Sequence, residues 1–204
     1  MLIPAERLHI GSGPQILPGW TNVDSKPYPG VDHVLDVTRA FPFTNVRFIF
    51  AEHFIEHLEY SDALAFLRNC RAVLADDGVL RISTPNLDWV WITQYHYGNW
   101  SSTAQQIQDC FGINKGFHGW GHRFLYNMAV LTETLHDAGF AHVTPCEYGA
   151  SAHDALRELE RHEKYLDTPE LPHIIIAEAT GRRGEGTQML EPSRGEYLSA
   201  VADA

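Results

Sequence analysis

The chain has 204 residues, 44% hydrophobic and 11% aromatic, which is enough for a sizeable single-domain core and excludes a disordered chain. Its 26 acidic against 15 basic residues give a formal net charge of −11, and no run of Lys or Arg interrupts that balance. Bulk nucleic acid and anionic membrane are thereby excluded as partners, and neutral or cationic small molecules fit better. Cys70, Cys110 and Cys146 are odd in number and widely spaced, so a disulfide framework and a thiolate zinc site are not expected, and a reducing, cytoplasmic setting fits. The N-terminus lacks the pattern of a signal peptide, and no stretch approaches ~18 apolar residues, so no membrane span is expected.

Arg7-Leu8-His9-Ile10 predicts a short strand running into a turn at Gly11-Ser12-Gly13. Residues 14–19 are too short and too rich in proline for a helix, and residues 20–24 predict a second strand ending at Asp24. Asp24 follows Gly13 by 11 residues, whereas a dinucleotide-binding crossover with its helix needs about 20, so this first connection must be a loop. Further strands are predicted over 31–36 and 46–51, the latter ending at Glu52 and His53. Ser61 predicts the cap of a helix over 62–75, stopped by Asp77-Gly78, and a strand follows over 79–83.

The segment 87–126 is rich in Trp, Tyr, His and Gly, with a helix expected near 102–110 and a loop over 116–122. Such an insertion after a strand end reads as a lid or acceptor-binding surface. Asn127 predicts the cap of a helix over 128–138, with Gly139 as its stop. Strands over 142–148 and 173–180 flank a charged helix expected over 151–166, and 181–204 reads as a polar, irregular tail on a domain of residues 1–180. Strands alternating with helices predict a three-layer α/β sheet.

These residues carry a resemblance. Leu8-His9-Ile10-Gly11-Ser12-Gly13, Asn22-Val23-Asp24, Asp36-Val37 followed by Phe41-Pro42-Phe43, and Phe50-Ala51-Glu52-His53-Phe54-Ile55-Glu56-His57-Leu58 occur in the order of the motifs of class I S-adenosylmethionine (SAM)-dependent methyltransferases. The type 11 branch is the most similar. Asp77-Gly78-Val79-Leu80 and His136-Asp137-Ala138-Gly139-Phe140 also resemble its later motifs. The chain departs from the pattern at His9, where an acid is usual, and at Gln15, where a third glycine is usual.

The resemblance implies a Rossmann-like, mostly parallel sheet with an antiparallel last strand. It also implies SAM as cofactor, held by Gly11, Ser12, Gly13, Asp24, Asp36, Val37 and Glu52. The methyl group passes to an O, N or C nucleophile, and a small-molecule or glycan acceptor methylated on oxygen is the expectation.

A hydroxyl acceptor must lose a proton, so a base near neutrality is useful. His53, at a strand end, is the first candidate, with His118 and His122 on the insertion. Trp89, Trp91, Tyr95, Tyr97, Trp100 and Trp120 are candidates for an acceptor pocket, or equally for core or homodimer packing. No resident metal is expected. Two other classes stay open. His53-Phe54-Ile55-Glu56-His57 matches the inverted zinc-protease pattern, with Glu133 or His118 as a third ligand. The substitutions at His9 and Gln15 admit a non-catalytic SAM-fold binding or scaffold protein.

Overall fold

The computed structural model describes residues 2–39, 41–161, 170–184 and 189–202. Its strands are β1 (Ile3–Pro4), β2 (Arg7–Ile10), β3 (Thr21–Asp24), β4 (His33–Val34), β5 (Phe43–Thr44), β6 (Val46–Glu52), β7 (Leu74–Pro85), β8 (His142–Cys146) and β9 (Ile174–Thr180). Seven of them form one sheet in the order β4-β3-β2-β6-β7-β9-β8. Only β9 is inverted: it runs antiparallel to both β7 and β8, and the other pairings are parallel. The expected mostly parallel sheet with an antiparallel last strand is therefore present. The short parallel ladder of β1 with β5 was not legible in the sequence.

Central strands are buried on both faces, and alternate side chains divide between two cores. Leu8, Ile10, Ile49, Ala51, Leu80 and Ile82 face the larger core. Helices α1 (Tyr60–Val73) and α4 (Met128–Asp137) cover it. The opposite side chains, Phe48, Phe50 and Val79, meet Leu17, Trp20 and Leu156. Among the described residues this second covering layer is irregular: it consists of the 14–20 loop and the 147–161 segment. The helix expected over 151–166 is not found in its described part, where residues 151–161 hold one 3-10 turn at Asp154–Leu156; residues 162–166 lie outside the described residues. A buried ion pair displaced that helix. Glu160, at its expected centre, is pulled onto the sheet by Arg81.

Asn127 caps α4 as expected, its side chain accepting from the Val130 N–H. Ser61 does not cap α1. The helix begins two residues earlier because the Tyr60 ring is buried and its hydroxyl pairs with Thr134 Oγ1 at 3.1 Å. At its other end α1 passes directly into β7, where Leu74 already pairs with Val46. Gly78 lies within β7 at the register shift of this pairing, where a Cβ would come within 2.9 Å of the Val46 carbonyl oxygen.

The 87–126 insertion is more helical than its sequence predicted, with α2 (Leu87–Gln94) and α3 (Thr103–His118) packed around Val90, Ile113 and Leu125. The tail is not wholly irregular: α5 (Glu191–Ala202) lays Tyr197 on Phe124, with ring centroids 5.3 Å apart, and pairs Arg194 with Asp137 at 2.6 Å. No helix among the described residues is long and apolar enough to cross a membrane.

Candidate active site

The chain leaves β2 for β3 and β4 on one side of the sheet, then returns to β6 on the other. Between the carboxyl ends of β2 and β6 the connections diverge, opening a crevice where open α/β sheets bind their ligands. The Gly11-Ser12-Gly13 turn forms one wall. Gly11 and Gly13 both have positive φ, but they do so for different reasons. A Cβ on Gly11 would lie 2.4 Å from the Phe54 ring, whereas one on Gly13 would enter open space. Gly11 is thus required by packing, and Gly13 leaves the backbone bare on an open side.

Asp24 braces this turn. Its Oδ2 accepts the Gly13 N–H at 2.8 Å and its Oδ1 accepts the Lys26 N–H at 2.8 Å. A carboxylate offers about four lone-pair sites, so roughly two remain for a ligand. Asn22 replaces the missing crossover helix. Its side chain accepts from Leu17 N–H and donates to the Leu17 and Trp20 carbonyls, tying the 14–20 loop to the sheet. Because the Asn22 Oδ1 can only accept, the His9 Nδ1, 3.0 Å away, is the donor. His9 also stacks on Phe50, and burial holds its imidazole below its usual pKa. The residue that stands where an acid is usual is therefore a neutral core group supporting the turn.

Glu52 ends β6 in the same crevice. Its Oε1 accepts the backbone N–H of Arg161 at 2.8 Å, and the Arg161 guanidinium reaches Gln15 Oε1 at 2.9 Å. Arg161 was not legible as a site residue, since its neighbours read as a charged helix. Tertiary pairing brings it in. Arg81, fully buried on β7, donates to Glu160 Oε1 and Glu178 Oε1, both at 2.7 Å, and to the Ala150 carbonyl at 2.9 Å. This triad clamps the 147–161 segment across the sheet and delivers Arg161 to the crevice. Of the two remaining cofactor candidates, Val37 is buried in the larger core. Asp36 is exposed, and hydrogen bonds from Thr38 hold its carboxyl below the usual range.

His53 follows β6 with φ at 44°, a left-handed conformation that non-glycine residues adopt at a cost. Its Nδ1 lies 3.1 Å from Oε1 of Glu56, a side chain with no exposed surface. The other oxygen of Glu56 accepts the Thr84 hydroxyl at 3.0 Å. Burial raises the Tyr126 hydroxyl pKa well above its usual value, with the nearby Tyr60 and Glu56 contributing. His57 ends a single 3-10 turn, Ile55–His57, so His53 and His57 do not share the helix that the inverted zinc-protease pattern needs.

His122 does come to this place. A kink at Trp120 (φ 58°) turns the chain after α3, and the His57 and His122 rings stand 5.3 Å apart. His118 is exposed at the end of α3, and neither it nor Glu133 joins this group. The aromatic candidates divide. Tyr95, Tyr97 and Trp100 cluster together, with Trp91 5.8 Å from Tyr95, and Trp89 meets His173. Trp91, Ile92, Leu87 and Phe117 line an apolar groove of about 510 Å³ on the insertion, and Trp120 lies 5.8 Å from His122.

No family model matches the chain, and no curated protein matches it in sequence. Solved structures do match it in fold. The CMeT domain of the citrinin polyketide synthase aligns at TM-score 0.52 and 16% identity over 88% of this chain and 47% of its own. The CurJ carbon methyltransferase aligns at 0.50 and 14%, covering 88% of this chain and 49% of its own. PigF, solved with SAH, aligns at 0.50 and 12%, covering 85% and 50%. This chain therefore has the class I methyltransferase fold, and it spans about half the length of these structures.

Proposed function

We propose that this protein is a SAM-dependent methyltransferase acting on the oxygen of a small-molecule or sugar acceptor. One observation carries the reading: a bare glycine turn braced by an acid, Gly13 on Asp24, at the crevice between β2 and β6 of a methyltransferase sheet. The side chains fit the cofactor. Asp24 has lone pairs left for ribose hydroxyls, and Gly13 has an open side for close approach. Arg161 supplies a cation for a carboxylate, and Glu52 an anion for an ammonium group. By the family resemblance Asp36 and Val37 border the adenine.

SAM supplies an electrophilic methyl carbon on a sulfonium, so the protein's main task is to position the acceptor. His53 stands at the strand end beside the crevice, its Nδ1 3.1 Å from Glu56 Oε1, and is the base that takes the acceptor's proton. The net charge of −11 favours a neutral or cationic acceptor over a polyanion.

Calorimetric titration with SAM and with its demethylated product tests the reading. Wild type should bind both, and Asp24→Ala should weaken binding at least tenfold, about 1.4 kcal/mol. Absence of binding to either molecule would overturn the proposal. Tight binding without turnover on any hydroxyl acceptor would leave the non-catalytic reading in its place.

A further inference from the structure

We infer that Glu56, His57 and His122 form a binding site for a divalent transition-metal ion, with zinc as the ion the donor set suits best. One ligand atom from each lies within 4.8 Å of the others. A tetrahedral ion with bonds of about 2.1 Å separates its ligands by about 3.4 Å, so closing on the ion takes about an ångström of imidazole movement. His57 is exposed and His122 half-buried, so both are free to make that movement.

Three features mark the group as a built site. First, Glu56 has no exposed surface, yet its Oε1 receives no hydrogen bond. His53 Nδ1 approaches it at 3.1 Å without completing one, and His57 Nε2 stands 4.0 Å away. A buried carboxylate oxygen left in this state costs free energy unless a cation meets it. Second, both imidazoles are already oriented as metal ligands. His57 Nδ1 lies 3.3 Å from the Gly121 carbonyl and His122 Nδ1 lies 2.9 Å from the Gly116 carbonyl. A carbonyl only accepts, so each Nδ1 carries the proton and each Nε2 keeps its lone pair for an ion. Backbone acceptors of this kind are the usual second partners of metal-bound histidines. Third, the Thr84 hydroxyl holds the other Glu56 oxygen, completing the support of the carboxylate.

Two histidines and one carboxylate leave a fourth position open, as in catalytic rather than structural zinc sites. The site adjoins His53 at the crevice. Resting on the methyltransferase proposal, the open position would take the acceptor hydroxyl. That oxygen loses its proton to His53 and forms the new O–C bond. The methyl C–S bond breaks with its electron pair going to sulfur, so a neutral thioether and a methyl ether result. The metal's part is to lower the acceptor's pKa and fix its oxygen.

The test uses the full chain stripped of metal and titrated with zinc and with cobalt(II), each alone. Wild type should take up one ion per chain, and cobalt should show the visible absorption of a low-coordinate site. His57→Ala and His122→Ala, both at accessible side chains, should each weaken binding at least tenfold. His142→Ala on the distant edge strand should bind as wild type does. Uptake that is absent, or equal in wild type and in the double variant His57→Ala/His122→Ala, would overturn the site. SAM titration of the same samples separates the two proposals. Metal without SAM retains this site and removes the methyltransferase reading, and SAM without metal does the reverse.

Discussion

Arg81→Met breaks the clamp that brings the 147–161 segment to the crevice. The guanidinium makes two 2.7 Å contacts to carboxylates, and the side chains of Arg81 and Glu160 are wholly buried, with Glu178 9% exposed. Removing the cation leaves two carboxylates unpaired in one apolar space and the Ala150 carbonyl without its donor. Breaking a buried pair from one side costs about 3–5 kcal/mol. A domain has only about 5–15 kcal/mol in all, so this is about a fifth of it or more. At this chain length the melting temperature should fall by about 10 °C.

Urea unfolding of wild type, of Arg81→Met and of the triple variant Arg81→Met/Glu160→Gln/Glu178→Leu measures the effect. The triple variant should regain most of the loss, because the penalty comes from stranded charge and not from the missing attraction. SAM affinity should fall in the single variant, since Arg161 is no longer held against Glu52 and Gln15. A loss below about 1 kcal/mol for the single variant, or no recovery in the triple, would refute the reasoning.

Two further outcomes follow from the glycine turn and its support. Gly11→Ala should destabilise by about 3 kcal/mol, combining left-handed strain with collision against Phe54, whose ring is itself backed by Phe66 at 5.1 Å. Gly13→Ala should cost only about 1–2 kcal/mol of stability but lose SAM affinity at least tenfold, which paired unfolding and calorimetric titrations resolve. His9 is held below its ordinary 6.5 by burial, so the unfolded chain binds its proton first as the pH falls. Its contribution is complete above about 6.5 and is lost as the pH falls from there through the lowered folded value. Unfolding free energies measured between pH 7 and pH 5 should therefore drop in wild type and drop less in His9→Gln.

Much of the sheet was legible because its signals are local. The strand at 7–10, the glycine turn, the acid at 24 and the seven-strand alternation depend on residues near one another in the chain. The same holds for the Asn127 cap, whose partner is three residues away. The resemblance then supplied the mostly parallel sheet with its antiparallel last strand, which periodicity alone does not contain.

What could not be read locally was decided by pairing across the fold. Arg81 and Glu160 lie 79 residues apart, and their ion pair replaced an expected helix with an irregular segment that carries Arg161 into the crevice. Tyr60, through Thr134, moved the start of α1 away from Ser61. His122 reaches His57 only because the chain kinks at Trp120, while His118, four residues earlier, is left facing solvent. Side-chain identity selects which chemistry is available. Long-range burial and charge pairing select which of those side chains meet, because an unpaired charge inside the fold, or an apolar ring left in water, costs more than a local propensity can return.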